Sequence, residues 1–222
     1  MTTTATALKP GDFSGLAAAY SLHRPGYSPT VARCIVSLVD RPPRTIAAAD
    51  VGAGTGIWSR QLAGLVGQVS AVEPNDDMRQ HGETDSRGGN VTFRAGSGEA
   101  TGLGAASAEL VTMASSFHWV DFGKGLAEFH RILKPGGWFC ALWNPRVVEA
   151  NALFAEIERE ISALKPDIKR VSSGNSELTA TLTDRLRQHP LFDDVVYLEG
   201  FHVERQSRER YLGLWNSVND VR

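Results

Sequence analysis

The sequence is poor in cysteine, with only Cys34 and Cys140 among its 222 residues. The two cysteines are far apart in the chain and lie in no cluster with metal-ligand spacing. The histidines likewise show no such spacing. The sequence therefore predicts two reduced, packed thiols and no metal site, as is usual for a protein of the cytoplasm.

An excess of charge of either sign is also missing, because 23 basic residues stand against 25 acidic ones. This balance argues against an extended nucleic-acid or membrane surface. No apolar run approaches the roughly 20 residues that a membrane span needs. The first residues, MTTTATALKPGDF, contain no apolar stretch of the secretory type, so we expect a cytoplasmic protein.

What the chain does contain is 42% apolar residues, enough for one ordinary domain with a full core. Short apolar runs alternate with amphipathic segments through the middle of the chain, which predicts parallel strands with helices on both faces. The fold class is therefore α/β, a doubly wound and mostly parallel sheet. The predicted strands cover residues 45–51, 68–74, 90–96, 108–116 and 138–144, the last after a turn at 134–137.

We divide this one domain into a helical cap (1–44), a core (45–144) and a C-terminal part (145–222) that completes the sheet. In the last part, apolar residues at helical spacing predict a packed helix; they are Phe154, Ile157, Ile161 and Leu164. A polar loop, a second helix, a long sixth strand around Val195–Glu204 and a polar C-terminal helix complete the prediction.

The segment ADVGAGTGIW places three glycines, Gly52, Gly54 and Gly56, between the first strand and a helix. Such a turn brings backbone N–H groups close to a ligand. Ile57 stands where dinucleotide-binding loops carry their third glycine, which argues against a pyrophosphate ligand. Glu73 ends the second strand 19 residues after Gly54, the placement of a carboxylate that accepts both ribose hydroxyls. The alternative for Glu73 is a solvated strand end.

Together, several segments resemble the successive motifs of class I S-adenosylmethionine-dependent methyltransferases, in the same order and with similar gaps. They are ADVGAGTG, VSAVEPNDDM, AGSGEATGL, AELVTMASSFHWVD and FHRILKPGGWFCALW. The segment AYSLHRPGYSP resembles the N-terminal cap of the small-molecule branch of that family. The resemblance implies S-adenosyl-L-methionine as cofactor and methylation of a small molecule at O, N or C. The cofactor-binding positions that it implies are Tyr20, Arg24, Asp50, Gly52, Gly54, Glu73, Pro74, Met78, Ser97, Glu99, Ala100 and Ser115.

The resemblance also implies a role for several of these positions. Asp50 faces the methionine amine, Glu73 takes the ribose hydroxyls, and Pro74 and Met78 pack near the adenine. Arg24 meets the cofactor carboxylate.

The chain departs from the family pattern where the family often has an aspartate before an Ala-Glu pair. Ser97 and Gly98 stand there, followed by Glu99 and Ala100. The contact to the adenine amino group therefore falls to Ser97, to Glu99 or to a backbone carbonyl.

His118 follows the fourth strand, at the edge of the sheet where a substrate lies. A methyl acceptor that is a hydroxyl or an amine has a proton to lose. His118 is therefore the candidate for removing that proton or orienting the acceptor, and the alternative is that it only closes the pocket.

Two other classes of protein compete with a methyltransferase. One is a cofactor-binding protein of the same fold that does not methylate and has a binding or cyclisation role. The other is a nicotinamide oxidoreductase, which the glycine spacing and the LKPGGWF segment disfavour.

The resemblance also implies a seventh, antiparallel strand between the fifth and sixth, yet only the polar, helical RQSRERYLGLWNSVNDVR follows Glu204. We therefore expect an incomplete sheet, a chain that stops short of the usual C-terminus, and open strand edges that favour a homo-oligomer.

Overall fold

The computed structural model describes residues 15–166 and 177–217. Its core is a five-stranded, all-parallel sheet with the strand order β3-β2-β1-β4-β5. The strands are β1 (Ala47–Val51), β2 (Gln68–Val72), β3 (Val91–Arg94), β4 (Ala108–Ala114) and β5 (Leu133–Leu142). The five strands predicted for the core and the α/β fold class are confirmed.

Helices flank this sheet and extend beyond it. They are α1 (Ala17–His23), α2 (Pro29–Ser37), α3 (Ile57–Ala63), α4 (Asp76–Asp85), α5 (Phe122–Ile132), α6 (Ala152–Leu164), α7 (Glu177–Arg187) and α8 (Arg208–Asn216). None of the described helices is long and apolar enough to cross a membrane.

The chain begins the sheet at its centre, moves outward through β2 and β3, and returns to place β4 on the other side of β1. The loops that follow β1 and β4 therefore leave the sheet in opposite directions. A crevice opens at the carboxyl ends of two such strands, and ligands of doubly wound sheets bind there. The topology thus predicts a site between these two loops.

Each face of the sheet is covered by an apolar helix face. On one face, Trp58 and Leu62 of α3 pack with Ile35 of α2. On the other face, Leu126 and Phe129 of α5 are completely buried. The side chain of Asp121 begins α5 by accepting a hydrogen bond from the backbone N–H of Lys124, as an N-cap does.

The predicted turn at 134–137 lies inside β5 and not before it. Ala108 pairs with Leu133, whereas Leu110 already pairs with Trp138, so the two strands change register there. Gly136 adopts a φ of +74°, which residues with a Cβ rarely adopt. The turn is therefore an irregularity in the β4–β5 ladder, stabilised by the ion pair of Lys134 with Glu109.

Helix α6 forms as predicted, but its apolar stripe does not pack as a core face. None of its residues is buried, and Leu164 is 85% exposed. The spacing along a helix fixes which side chains share a face, but not whether another element covers that face.

The predicted sixth strand is wrong, because residues Val195–Glu204 have no regular secondary structure. Five of their apolar side chains are exposed: Val196, Tyr197, Leu198, Phe201 and Val203. A segment forms a strand only where the backbone of a neighbouring strand can hydrogen-bond to its N–H and C=O groups. No described strand lies beyond β5. Most of the predicted polar loop and the last part of the predicted C-terminal helix lie outside the described residues.

The N-terminal cap contacts the end of the chain as well as the core. Helix α1 packs against α8, where the ring of His23 lies directly over Gly213. Arg210 of α8 donates a hydrogen bond to the backbone oxygen of Arg24 at 3.2 Å. The segment 24–28 that follows α1 is therefore fixed near the carboxyl ends of the strands by a helix from the other end of the sequence.

Candidate functional site

The glycine loop between β1 and α3 requires glycine at all three predicted positions. Gly52, Gly54 and Gly56 have φ values of +69°, +57° and +77°. A Cβ at Gly52 would lie 2.7 Å from the side chain of Ser116. A Cβ at Gly54 would meet no atom within 4 Å. The loop is therefore closed against the protein at Gly52 and open to a ligand at Gly54.

Glu73 connects this loop to the next helix. One carboxylate oxygen accepts a hydrogen bond from the backbone N–H of Gly54 and the other from that of Asn75, both at 2.8 Å. Glu73 is buried, and burial raises the pKa of its carboxyl although these hydrogen bonds oppose the shift. Each carboxylate oxygen has a further lone pair. Glu73 can therefore hold the loop and accept a hydroxyl at the same time.

Asp50 lies at the end of β1, directly beneath the loop, and is completely buried. Its carboxyl accepts a hydrogen bond from the Ser59 hydroxyl at 2.5 Å and a longer one from Thr112 at 3.4 Å. Trp58 donates in turn to the Thr112 oxygen at 3.0 Å. Burial raises the pKa of Asp50 to about 7, and the nearby charge of Glu73 adds to this shift.

The loop after β3 contains the departure from the family pattern. The Ser97 hydroxyl donates to Glu99 at 3.0 Å, and Glu99 accepts the backbone N–H of Asp121 at 2.9 Å. A Cβ at Gly98 would lie 2.4 Å from Val120, so the packing leaves no space for a longer residue there. Glu99 is thus engaged in joining this loop to the start of α5.

Ala100 closes the same loop, because its backbone exchanges hydrogen bonds with that of Ser97 at 3.0 and 3.3 Å. At the start of α4, Pro74 is exposed and Met78 is buried. The two therefore offer an exposed ring and a buried thioether beside Glu73.

Ser115 and the cap close the other side of the crevice. The Ser115 hydroxyl lies 3.0 Å from the Tyr27 hydroxyl, and Ser115 has a φ of +55°, an uncommon value for a residue with a side chain. Gln61 of α3 binds both the N–H and the carbonyl of Tyr27. Asn144, after β5, donates to the backbone oxygen of Gly26 at 2.7 Å.

Arg24 and Tyr20 form one unit of the cap. The Arg24 guanidinium lies 4.8 Å from the centre of the Tyr20 ring, a cation–π contact. The Nε of Arg24 is buried and has no hydrogen-bond partner among the described residues. Arg24 therefore retains a hydrogen-bond donor for an anionic group.

His118 lies on a short 3₁₀ turn after β4 (Phe117–Trp119), at the same edge of the sheet. Both of its ring nitrogens are buried and neither has a hydrogen-bond partner within the described ranges. Burial lowers the pKa of His118 below the usual value for histidine. The ring is 4.5 Å from that of Trp119, which is 40% exposed. Burial thus favours the neutral form of the imidazole, the form that accepts a proton.

Most of the predicted site residues lie at the carboxyl ends of the strands, but the groups that hold the cap in place were not predicted from the sequence. Gln61 and Arg210 bind backbone atoms 34 and 186 residues away along the chain. No local pattern marks such long-range contacts. No group of three metal-ligating side chains is found in the part of the chain that the structure describes.

A glycine loop opposite a strand-end carboxylate, at the switch point of a parallel sheet, defines a doubly wound nucleoside-binding domain. A family model with the description "Methyltransferase domain" matches residues 49–141, which contain this loop, the carboxylate and His118. Over residues 49–141 the chain is therefore similar to methyltransferase domains.

The chain is also similar to individual methyltransferases. It is 31% identical over 134 residues to an uncharacterized methyltransferase of Mycobacterium bovis, covering 60% of this chain and 52% of the relative. It is 28% identical over 150 residues to a ubiquinone/menaquinone biosynthesis C-methyltransferase of Psychromonas ingrahamii, covering 64% and 59%. The chain thus spans about half the length of the curated relatives that it matches.

Among solved structures, one of a "Putative Type II Methyltransferase" from Anaeromyxobacter dehalogenans has a TM-score of 0.64 at 24% identity. The match covers 89% of this chain and 81% of that one. At 24% identity, this structural similarity supports the assignment of the fold alone.

Proposed function

We propose that the protein is an S-adenosylmethionine-dependent methyltransferase that acts on a small molecule. The observation that carries the proposal is the pairing of Glu73 with Gly54. The carboxylate is held at the end of β2 by the backbone of the glycine loop, where it accepts ribose hydroxyls while the open space at Gly54 admits the methionine part of the cofactor. The bound cofactor supplies an electrophilic methyl group.

The remaining positions surround this pair. Arg24 offers its unpaired Nε to the cofactor carboxylate, and Asp50 lies beneath the methionine end. Ser97, Glu99 and Ala100 form the loop on the adenine side, together with Pro74 and Met78. Ser115 and Tyr20 close the cap side.

His118 takes the acceptor's proton in this proposal. The buried, neutral imidazole has no hydrogen-bond partner in the described parts of the chain, so its lone pair is available to an acceptor hydroxyl or amine. The exposed ring of Trp119 beside it excludes water when an acceptor is present. Such a base accelerates proton removal and leaves cofactor binding unchanged.

An aromatic wall formed by α6 and α8 is a second part of the proposed acceptor site. Arg146, just after β5, lies 4.6 Å from the centre of the Trp215 ring and forms an ion pair with Glu158 at 2.9 Å. Tyr211 stacks on Phe154 with 5.8 Å between ring centres, and its buried hydroxyl has no partner among the described residues. This wall favours a planar, apolar acceptor that carries a hydrogen-bonding oxygen.

Binding and transfer are tested separately. Calorimetry should show S-adenosylmethionine and S-adenosylhomocysteine binding in the micromolar range, about 8 kcal/mol, and no binding of NAD. A labelled methyl donor is then incubated with phenols, carboxylic acids and amines. Binding without transfer to any acceptor would favour the non-methylating alternative. Binding of NAD alone would overturn the proposal.

Tyr211→Phe tests the acceptor wall. This change removes only the hydroxyl, so we expect KM for a phenolic acceptor to rise about 10-fold, with cofactor affinity unchanged. Leu212→Ala, at an exposed position of the same helix, is the matched control. Equal KM values in the two variants would exclude the Tyr211 hydroxyl from the acceptor site.

A further inference from the structure

The aromatic ring of Phe93, on β3, lies between two glycines from different elements. A Cβ at Gly82 of α4 would be 2.4 Å from Cζ at the tip of this ring, and a Cβ at Gly56 of the glycine loop would be 2.7 Å from the same atom. The three atoms nearest to the absent Cβ of Gly82 all belong to this ring. Glycine stabilises a helix less than alanine does, and Gly82 is a buried residue of α4. Its packing role is therefore to admit the Phe93 ring.

Gly56, at the other side of this ring, joins the glycine loop to α3. Its N–H donates to the backbone oxygen of Ala53 at 2.9 Å, and its own carbonyl accepts the N–H of Arg60 at 2.9 Å. The Arg60 side chain donates to the backbone oxygen of Thr55 at 2.6 Å and would lie 3.3 Å from a Cβ at Gly56. The loop is thus packed tightly at Gly56 and open at Gly54.

The strand that carries Phe93 also holds Glu73. Arg94, the next residue of β3, pairs with Val72, and its backbone oxygen accepts the N–H of Glu73 at 3.0 Å. Strand β3 therefore contacts the glycine loop through a side chain and the strand-end carboxylate through its backbone. Both halves of the Gly54–Glu73 pair are supported by this one outer strand of the described sheet.

We infer that Phe93 is a positioning residue of the cofactor site, whose ring fixes the distance between α4 and the glycine loop and so places Gly54 relative to Glu73. This inference rests on the proposed function. Phe93 acts through the backbone of Gly56, two residues after Gly54. A ring displaced towards Gly56 moves the loop, and a cofactor that bridges the loop and Glu73 then loses hydrogen-bond geometry at one of them.

A double-mutant cycle on the whole chain tests the inference, with calorimetry of S-adenosylhomocysteine as the measurement. Gly82→Ala adds a methyl group that displaces the Phe93 ring, so we expect the Kd to rise about 10-fold. Phe93→Leu removes the tip of the ring, and in that background Gly82→Ala should change the Kd by less than about 2-fold. Gly123→Ala is the matched control and should leave the Kd unchanged, because Gly123 is an exposed helical glycine whose Cβ would be 3.8 Å from the nearest atom, Oδ1 of Asp121.

The dependence of one substitution on the other distinguishes positioning from a general loss of stability. Urea denaturation gives the folded fraction of each variant, so the Kd is compared for folded protein alone. A native Kd in Gly82→Ala, or an equal rise in both backgrounds, would overturn the inference. If Gly82→Ala does not fold, Phe93→Leu and Phe93→Ala decide: the Kd should rise as the side chain is shortened, and native values in both would overturn the inference. Failure of the native protein to bind S-adenosylhomocysteine would refute the proposed function, and this inference with it.

Discussion

Glu73 holds the backbone of its surroundings and, in the proposed function, also binds the ligand. Its two oxygens hold the backbone of Gly54 and of Asn75, so the same carboxylate holds the glycine loop and the residue that caps α4. Burial favours its neutral form, whereas the hydrogen bonds favour the charged form. A carboxylate held in this way is oriented for a ligand before the ligand arrives.

Glu73→Ala should weaken binding of S-adenosylhomocysteine by about 1.5–3 kcal/mol, because it removes a charged acceptor for two hydroxyls. Calorimetry measures the effect. Glu83→Ala is the control, since Glu83 is an exposed acid of α4. Unchanged affinity in Glu73→Ala would contradict the ribose assignment.

His118→Ala should lower turnover by about 10²-fold or more if the imidazole removes a proton, with cofactor affinity nearly unaltered. His81→Ala, a substitution on α4, is the matched control because, among the described residues, the His81 ring bonds to Asp77 of the same helix. Steady-state kinetics and calorimetry together decide the role. A loss confined to cofactor affinity would make His118 part of the pocket wall.

At the scale of elements, α5 stabilises the loop that follows β3. Glu128 accepts hydrogen bonds from the backbone N–H and the hydroxyl of Thr101, which is fully buried, and pairs with Arg131. The bond from Arg131 and those from Thr101 lower the pKa of Glu128 to about 2. This loop continues from Ser97 and Glu99, so α5 helps to position the loop to which the proposed function assigns the adenine.

Glu128→Gln should lower the free energy of unfolding by about 1–2 kcal/mol at neutral pH. This value is kept small because Arg131, the partner of Glu128, is partly exposed and solvent screens the pair. Because the folded pKa is depressed, this stabilisation is complete above about pH 4.5 and is lost as pH falls towards 2. Urea denaturation at several pH values measures it. Glu160→Gln, at an exposed position, is the control. A pH-independent difference between Glu128→Gln and the native protein would refute this account.

At the scale of the whole molecule, no described strand pairs with the outer edge of β5, and the segment between α7 and α8 has exposed apolar side chains. Leu198, Phe201 and Val203 are 41%, 77% and 85% exposed. Open edges and apolar segments favour pairing with another chain. We propose that this face supports self-association.

Sedimentation velocity should therefore show a concentration-dependent dimer at micromolar protein. The double substitution Tyr197→Ser and Phe201→Ser should shift the monomer–dimer equilibrium towards monomer, because both side chains are exposed on this segment. Leu164→Ser, equally exposed on α6, should not. A protein that remains monomeric at all concentrations would disprove the proposal.

The sequence by itself determined the core of this protein. The alternation of apolar and amphipathic segments located all five strands, because strand and helix periodicities are local properties. The glycine loop and Glu73 were also readable, since turn conformation and a strand-end carboxylate depend on residues close in the chain. The positions of Asp50, in the first strand, and of His118, after the fourth, followed from the predicted strands.

Strand pairing, burial and long-range hydrogen bonds depend on residues that are distant in the sequence, and only the tertiary structure decided them. Residues Val195–Glu204 have the alternation of a strand, but no described strand pairs with them, and the apolar stripe of α6 leaves Leu164 85% exposed. Gln61 and Arg210 hold the cap through atoms far away in sequence. The shifted pKa of Asp50 likewise comes from burial and from Glu73. Burial and pairing are properties of assembled elements, so no local pattern contains them.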